Sequence, residues 1–167
     1  MIEKIELDAM HEAIYQAQQA ALKGEVPVGA AVIKNGEIIA SAHNLCESLK
    51  DATAHAELLA IKAAQQVLGC GNLSGCSLYV TLEPCPMCTG AAMNARIEHI
   101  IFGAFDPAAG CCGSLYALPR DPRLPHKCEI YGGIMAQQCS RLLSDFFSDL
   151  RLKKTIHQQK KTERTLL

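Results

Sequence analysis

Residues 28–34 and 37–43 are two apolar segments joined only by the dipeptide Asn35-Gly36. Both positions of a two-residue hairpin turn need positive φ, which asparagine and glycine adopt more readily than other residues. The pattern therefore predicts two antiparallel strands joined by a tight turn. It is the strongest local constraint in the sequence, because any fold of this chain must then contain a β-sheet.

Helical and strand-like segments alternate along the chain. Apolar residues at spacings of three and four predict a first helix, with a buried face made of Leu7, Met10, Ile14, Ala17 and Ala21. Gly24 is placed to end this helix as its C-cap, and Pro27 prevents its continuation. A second helix is predicted over residues 53–68, with Thr53 as its N-cap and Gly69 just past its end.

The remaining predicted elements follow the same alternation. Strands are predicted over residues 76–82, 99–104 and 127–131, a short helix begins near Pro84, and a last helix runs from about 134 to at least 154. Strands that alternate with helices are typical of α/β proteins. We therefore expect a three-layer α/β/α domain around a mixed central sheet of about five strands.

Composition sets the class of protein. The chain has 167 residues, 49% of them hydrophobic and 20% charged, which fits one folded domain rather than a disordered chain. No apolar run approaches the ~20 residues of a membrane span, and residues 1–6 do not look like a signal peptide. We therefore expect a cytoplasmic protein that makes no use of a membrane. We place the domain at residues 1–157 and a basic tail, a candidate for disorder, at 158–167.

Charge is unevenly distributed. Residues 150–167 carry six lysines and arginines against one glutamate, whereas the rest of the chain is acidic. An acidic body with a basic end indicates, weakly, a polyanionic partner. The alternative is a solvated helix end or frayed tail without a partner.

Two short clusters have the composition of a metal site. Cys85 and Cys88 are three residues apart at a predicted helix start, so they share a face, and the helix dipole there favours thiolates. With His55 they make three good zinc ligands, and three ligands leave the open position that is typical of catalytic zinc. Zinc lowers the pKa of bound water to about 7, but the released proton needs an acceptor, for which Glu57 is the candidate.

His55 and Glu57 pose a geometric difficulty. Residues two apart point about 200° apart around a regular helix, so they do not share a face. Both can serve one site only at the helix entry, or if the metal lies over the helix end. We predict the helix end.

Alternative roles for the cysteines stay open. Cys85 and Cys88 could form a redox pair, but His55 and Glu57 would then have no role. A structural zinc would need a fourth ligand, for which the sequence offers Cys46, Cys70, Cys76, Cys111, Cys112, Cys128, Cys139 and His43. We expect each of the seven additional cysteines to be a small buried apolar residue or an exposed thiol.

The pattern His-x-Glu followed by Pro-Cys-x-x-Cys is the signature of zinc nucleobase deaminases. The chain resembles one family of them, the bacterial tRNA-specific adenosine deaminases in the cytidine/deoxycytidylate deaminase superfamily, over roughly residues 5–150. The similar segments are residues 24–29, 53–57, 79–85, 102–104, 113–114 and 143–147.

This resemblance implies a cytidine-deaminase-like fold and hydrolysis of adenosine to inosine at the wobble position of a tRNA anticodon. It implies one Zn²⁺ per subunit on His55, Cys85 and Cys88, with Glu57 carrying the proton. Family members act as homodimers, and their RNA partner is the anticodon stem-loop. Three further residues match substrate-binding positions of the family: Asn44 toward the base, Asp106 toward the RNA backbone and Phe147 toward the flanking nucleotides.

The chain also departs from the family. Residues 107–109 are Pro-Ala-Ala where a basic RNA contact is usual, and Ser148 replaces a residue that is often basic. The basic stretch from Arg151 to Arg164 could compensate, since phosphate contacts set affinity without reading sequence.

Two other functions remain in competition. A zinc deaminase of a free base or nucleoside, such as guanine or cytosine, shares the metal signature, although it needs no contacts to an RNA backbone. A catalytically idle zinc module would bind RNA or a protein, although it has no use for Glu57.

Overall fold

A mixed five-stranded sheet forms the centre of the molecule. We describe it in a computed structural model that covers the backbone of residues 4–165 and the side chains of residues 7–156. In chain order the strands are β1 (Gly29–Lys34), β2 (Glu37–His43), β3 (Cys76–Leu82), β4 (His99–Ala104) and β5 (Glu129–Gly132). Their spatial order is β2-β1-β3-β4-β5, with β1 antiparallel to both neighbours and β3, β4 and β5 parallel.

Helices cover both faces of the sheet. They are α1 (Lys4–Leu22), α2 (Cys46–Leu49), α3 (Ala56–Leu68), α4 (Pro86–Asn94) and α5 (Ala136–Thr165), with a short 3₁₀ helix at Leu118–Arg120. Apolar residues of α1 and α5 share one buried cluster, and those of α3 and α4 share another on the opposite face. The predicted three-layer α/β/α architecture with five strands is confirmed. Within the described part of the chain, no helix combines the length and apolar character needed to cross a membrane.

The predicted hairpin has the expected turn. Asn35 and Gly36 have φ of 50° and 81°, and Lys34 pairs with Glu37 across the turn. The predicted C-caps are also present: Gly24 and Gly69 both have positive φ, and the Gly69 N–H donates to carbonyls of the last turn of α3. Local backbone rules were sufficient at these positions because the conformation depends on one or two residues.

Two helix starts were predicted wrongly. The N-cap of α3 is His55 rather than Thr53, because the Thr53 N–H and hydroxyl both donate to the Asp51 carboxylate in a preceding turn. Helix α4 begins at Pro86 rather than Pro84, and its N-cap is Cys85. The residue before a proline avoids the helical conformation, so Cys85 stays extended. Strand β5 lies slightly later than the predicted 127–131, and α2 was not predicted.

The edge of the sheet that contains the ends of β2, β3 and β4 also receives the starts of β1, α3 and α4. This follows from the topology, because each of these helices starts close to the end of a strand and returns along the sheet. Backbone N–H groups of two helix starts therefore gather at one edge, where they favour negative charge.

Helix α5 passes position 157, where we expected the domain to end. Every described side chain from Arg151 to Ile156 is exposed. Side chains of the predicted basic tail, 158–167, lie outside the described residues, as does all of 166–167. The division at 157 stays a prediction.

Candidate active site

Three potential metal ligands meet at the starts of α3 and α4. The Nδ1 atom of His55 lies 3.8 Å from the Sγ of Cys85 and 3.5 Å from the Sγ of Cys88, and all three ligand atoms lie within 4.8 Å of one another. Zinc bonds of ~2.0 Å to nitrogen and ~2.3 Å to sulfur in a tetrahedron separate such atoms by roughly 3.5–3.8 Å. The chemistry and spacing of this donor set therefore fit zinc.

The helix entry, which was the alternative to the helix end that we predicted, removes the difficulty over His55 and Glu57. His55 is the N-cap, with extended backbone, and Glu57 lies in the first turn of α3. The two side chains can therefore face one site although they are only two residues apart. Among the residues described here, no further histidine, cysteine or carboxylate offers a ligand atom within 4.8 Å of all three of these atoms.

The sulfur atoms differ in their charge. A hydrogen bond from Cys88, assisted by His55, lowers the pKa of Cys85 to about 4. The same hydrogen bond, together with burial, raises the pKa of Cys88. The hydrogen bond to Cys85 raises the pKa of His55. These shifts favour the thiolate form at Cys85, and metal binding requires both sulfur atoms to be deprotonated.

Glu57 is enclosed beside these ligands. Its side chain is buried, and burial raises the pKa of its carboxyl group above the ordinary 4.5. It hydrogen bonds with Cys88 and lines the same pocket as His55 and Cys85. A buried carboxyl group with a raised pKa is suited to accept and return a proton near neutral pH.

A pocket of about 270 Å³ opens beside the ligand cluster. This is slightly below the usual range of drug-sized sites, ~300–1,000 Å³, and suits a single small ring system. Aliphatic side chains alternate with polar ones in its wall, which consists of Val26, Val28, Asn44, Cys46, His55, Glu57, Leu82, Glu83, Cys85, Asp106 and Ala109.

The three residues predicted to bind substrate occupy different environments. Asn44 is buried in the pocket wall. Asp106 also lines the pocket, but its carboxylate accepts hydrogen bonds from the N–H groups of Ala108 and Ala109, so it holds its own loop. Phe147 lies on α5 outside the pocket wall, 42% exposed, with its ring edge-on to Phe146. Their roles toward substrate stay predictions.

Two buried glutamates were missed. Glu83 accepts hydrogen bonds from the N–H groups of Asp106, Cys112 and Ser114 and from the Ser114 hydroxyl, so it anchors the loop over residues 106–114. Glu25 accepts from the Asn44 side chain and from two N–H groups of α2. The sequence did hold a signal, because Glu25 and Glu83 lie in residues 24–29 and 79–85, two of the segments that are similar to the family.

Cys46 was expected to be a small buried apolar residue or an exposed thiol, with a zinc ligand as the alternative. Its thiol lines the pocket but donates to the Oδ1 atom of Asn44, at 3.3 Å. The other six additional cysteines are buried, apart from the exposed Cys70, and none of the nine cysteines is paired in a disulfide.

Comparison with known proteins gives consistent matches. The family model of the cytidine and deoxycytidylate deaminase zinc-binding region matches residues 3–104. A tRNA-specific adenosine deaminase of Bacillus subtilis (strain 168) is 51% identical over 145 residues, which are 87% of this chain and 90% of the relative.

Solved structures agree in fold. One solved structure comes from studies of A-to-I editing by tRNA:A34 deaminases at the wobble position of transfer RNA. It is 37% identical to this chain with a TM-score of 0.80, and the match covers 82% of this chain and 99% of the solved chain. A guanine deaminase from Bacillus subtilis is 30% identical, with a TM-score of 0.59, covering 83% of this chain and 91% of its own. The predicted cytidine-deaminase-like fold is thereby confirmed.

Proposed function

Since the chain belongs to the cytidine and deoxycytidylate deaminase family, we propose that it hydrolyses the wobble adenosine of a tRNA anticodon to inosine. The observation that carries the proposal is the buried Glu57 beside the cluster of three potential zinc ligands, at a pocket that Glu57 lines together with His55 and Cys85. The tRNA substrate is supported by the tRNA-specific adenosine deaminase that is 51% identical over most of both chains.

The proposed chemistry is a hydrolysis. Water adds to C6 of adenine, the C–N bond to the amino group breaks, and ammonia leaves while the ring keeps the oxygen of water. His55, Cys85 and Cys88 would hold one Zn²⁺ per subunit, which when bound lowers the pKa of a water ligand to about 7. Glu57 takes one proton of the attacking water and gives it to the ring, and then moves the second proton of that water to the leaving amine, which departs as ammonia.

The pocket wall orients the base. The Asn44 amide offers a donor and an acceptor to a base edge. Val26, Val28 and Leu82 supply apolar surface against which a flat ring can pack. An anticodon loop presents unpaired bases, so moving one base into the pocket costs less than extracting it from a duplex.

We also propose a cytoplasmic homodimer. Large apolar side chains that the single chain leaves exposed include Phe105, Leu115, Tyr116, Leu124 and Tyr131, in and after the loop that borders the pocket. Exposed apolar surface of this kind is typical of an interface with a second subunit. Nine unpaired cysteines are consistent with a reducing compartment. A solution mass of one chain, 18.0 kDa, would contradict the dimer.

The test of the activity uses several substrates in parallel. The purified zinc-loaded protein is incubated with an anticodon stem-loop that has adenosine at the wobble position, and separately with guanine, cytosine and cytidine. We expect inosine in the stem-loop, detected by nucleoside mass spectrometry, and no turnover of the free compounds. Turnover of a free base without editing of the RNA would instead support the function of the guanine deaminase relative.

Glu57→Gln tests the proton carrier. The glutamine keeps the size of the side chain but cannot take up a proton, so we expect full zinc content and a loss of deamination of about 10²–10⁴-fold. Glu37→Gln, at the exposed start of the edge strand β2, is the matched control and should deaminate like the parent protein. An active Glu57→Gln variant would contradict the assigned role. A variant that had lost its zinc would show that Glu57 acts on the metal site instead.

A further inference from the structure

Glu25 is completely buried, and the mechanism above gives it no part. It lies behind the pocket wall rather than in it, and its Oε2 atom accepts a hydrogen bond from the Nδ2 of Asn44 at 3.2 Å. The same carboxylate accepts the N–H groups of Glu47 at 3.0 Å and of Ser48 at 2.6 Å. All of these partners are donors, as an ionised carboxylate requires.

This contact decides how the Asn44 amide is oriented. The two ends of a carboxamide have nearly the same shape, but one end donates and the other accepts. A carboxylate can only accept, so it selects Nδ2 and turns Oδ1 away from itself. On that other side the Cys46 thiol donates to Oδ1, which supports the same orientation.

The backbone around Glu25 is well fixed. The chain leaves α1 through Gly24, whose positive φ turns it sharply, and the Glu25 N–H donates to the Ala20 carbonyl. Asn44 is attached to the same region, since its N–H donates to the Val28 carbonyl at the start of β1. Main-chain hydrogen bonds therefore hold the backbone of both partners, and the N–H groups of Glu47 and Ser48 hold the carboxylate that faces the amide.

We propose that Glu25 is a positioning residue that fixes the side-chain amide of Asn44 in one orientation and so sets the hydrogen-bonding pattern that the pocket presents to the base. The link to the base rests on the proposed function. Adenine has an amino donor at the position where guanine has a carbonyl acceptor. An amide that cannot rotate can therefore favour one of these bases, whereas an amide free to rotate would accommodate both.

A thermal stability experiment tests the contact without any activity. Glu25→Gln should lower the melting temperature of the parent protein. Asn44→Asp places a second carboxylate against Glu25, and adding Glu25→Gln to this variant should raise its melting temperature, because the glutamine can donate to the new aspartate. The control is Glu83→Gln, a second buried glutamate without contact to Asn44, which should lower the melting temperature in both backgrounds. The proposal would be overturned if Glu25→Gln lowered the melting temperature both in the parent protein and in the Asn44→Asp variant.

A second experiment tests the effect on the reaction and remains interpretable if Asn44→Asp does not fold. The kcat/KM for the stem-loop is measured for Glu25→Gln in the parent and in an Asn44→Ala background. We expect a loss of about tenfold in the parent and less than about twofold beside Asn44→Ala, since a residue that acts through Asn44 has nothing left to position. Equal losses in both backgrounds would assign Glu25 a purely structural role. A parent protein inactive on the stem-loop would refute the proposed function, and the melting experiment would still decide the contact.

Discussion

At the scale of single residues, ionised groups in the interior organise the walls of the pocket. Glu83 is 2% exposed, yet each of its partners donates a hydrogen bond to it. Burial opposes ionisation of this carboxyl group, but the hydrogen bonds from Ser114, Asp106 and Cys112 outweigh it and lower its pKa below the ordinary 4.5. Gly110 packs so closely against this carboxylate that a Cβ atom there would overlap it.

The lowered pKa of Glu83 predicts a pH dependence of stability. A group whose pKa is lower in the folded state contributes stability above its unfolded pKa, and this contribution is lost as pH falls through the folded value. Glu83→Gln should therefore lower the free energy of unfolding by about 2 kcal/mol at pH 7. The difference in unfolding free energy between this variant and the parent protein should become smaller below about pH 4.5.

Urea unfolding of the two proteins at pH 7 and at pH 4 or below measures this difference. Glu37→Gln, an exposed glutamate, should stay within about 0.5 kcal/mol of the parent at pH 7 and controls for the substitution itself. If this difference in unfolding free energy is the same at both pH values, the negative charge of Glu83 does not contribute to stability.

At the scale of elements, the site depends on how closely helix α1 packs on the sheet. Gly29 begins β1, and a Cβ atom there would lie 2.1 Å from the Ala13 carbonyl oxygen and 2.5 Å from the Ala17 nitrogen. These are backbone atoms of a helix and cannot move alone. Because Gly29 has no Cβ atom, β1 can pack directly against α1. The segment that connects them contains Glu25 and the pocket-wall residue Val28, so this packing fixes the position of both.

Gly29→Ala should displace α1 and destabilise the protein by about 3 kcal/mol or more. Gly90→Ala is the matched control, because Gly90 lies within α4 and nothing surrounds the position that a Cβ atom would occupy. That substitution should stabilise the protein by about 0.5–1 kcal/mol through helix propensity. Chemical denaturation measures both, and equal effects of the two alanines would contradict the close packing described here.

At the scale of the whole molecule, charge is separated along the chain. The described end of α5 exposes Arg151, Lys153 and Lys154. The residues before this basic stretch carry a net negative charge, which repels RNA. Lys34 and Arg96 lie at the opposite edge of the sheet from the pocket, at the end of β1 and after α4. The basic stretch remains the predicted contact to phosphates.

Replacing Lys153 and Lys154 by glutamine should weaken binding to the stem-loop and lower the salt dependence of that binding. The slope of log K against log salt should decrease by about 0.7–0.9 for each phosphate that the variant no longer neutralises. The matched control, Lys34→Gln with Arg96→Gln, removes the same charge at the far edge and should leave the slope unchanged. Fluorescence anisotropy at several salt concentrations measures both, and identical slopes would exclude the basic stretch from the interface.

The sequence alone determined what depends on neighbouring residues. The hairpin follows from the φ preferences of Asn35 and Gly36, the helix ends from Gly24 and Gly69, and the metal ligands from the donor atoms of His55, Cys85 and Cys88. The hairpin and the helix ends are decided within a few positions because backbone sterics act at short range, and the donor atom of a candidate ligand is a property of its own side chain.

Only the tertiary structure decided which partners distant residues have. It placed Glu57 beside Cys88, tied the loop that begins at Asp106 to the Glu83 carboxylate and set Glu25 against the Asn44 amide. These contacts join segments far apart in the chain, so they depend on strand register and helix packing rather than on local preference. A buried carboxylate surrounded by donors and an exposed one are the same letter in a sequence, and only the fold supplies the donors.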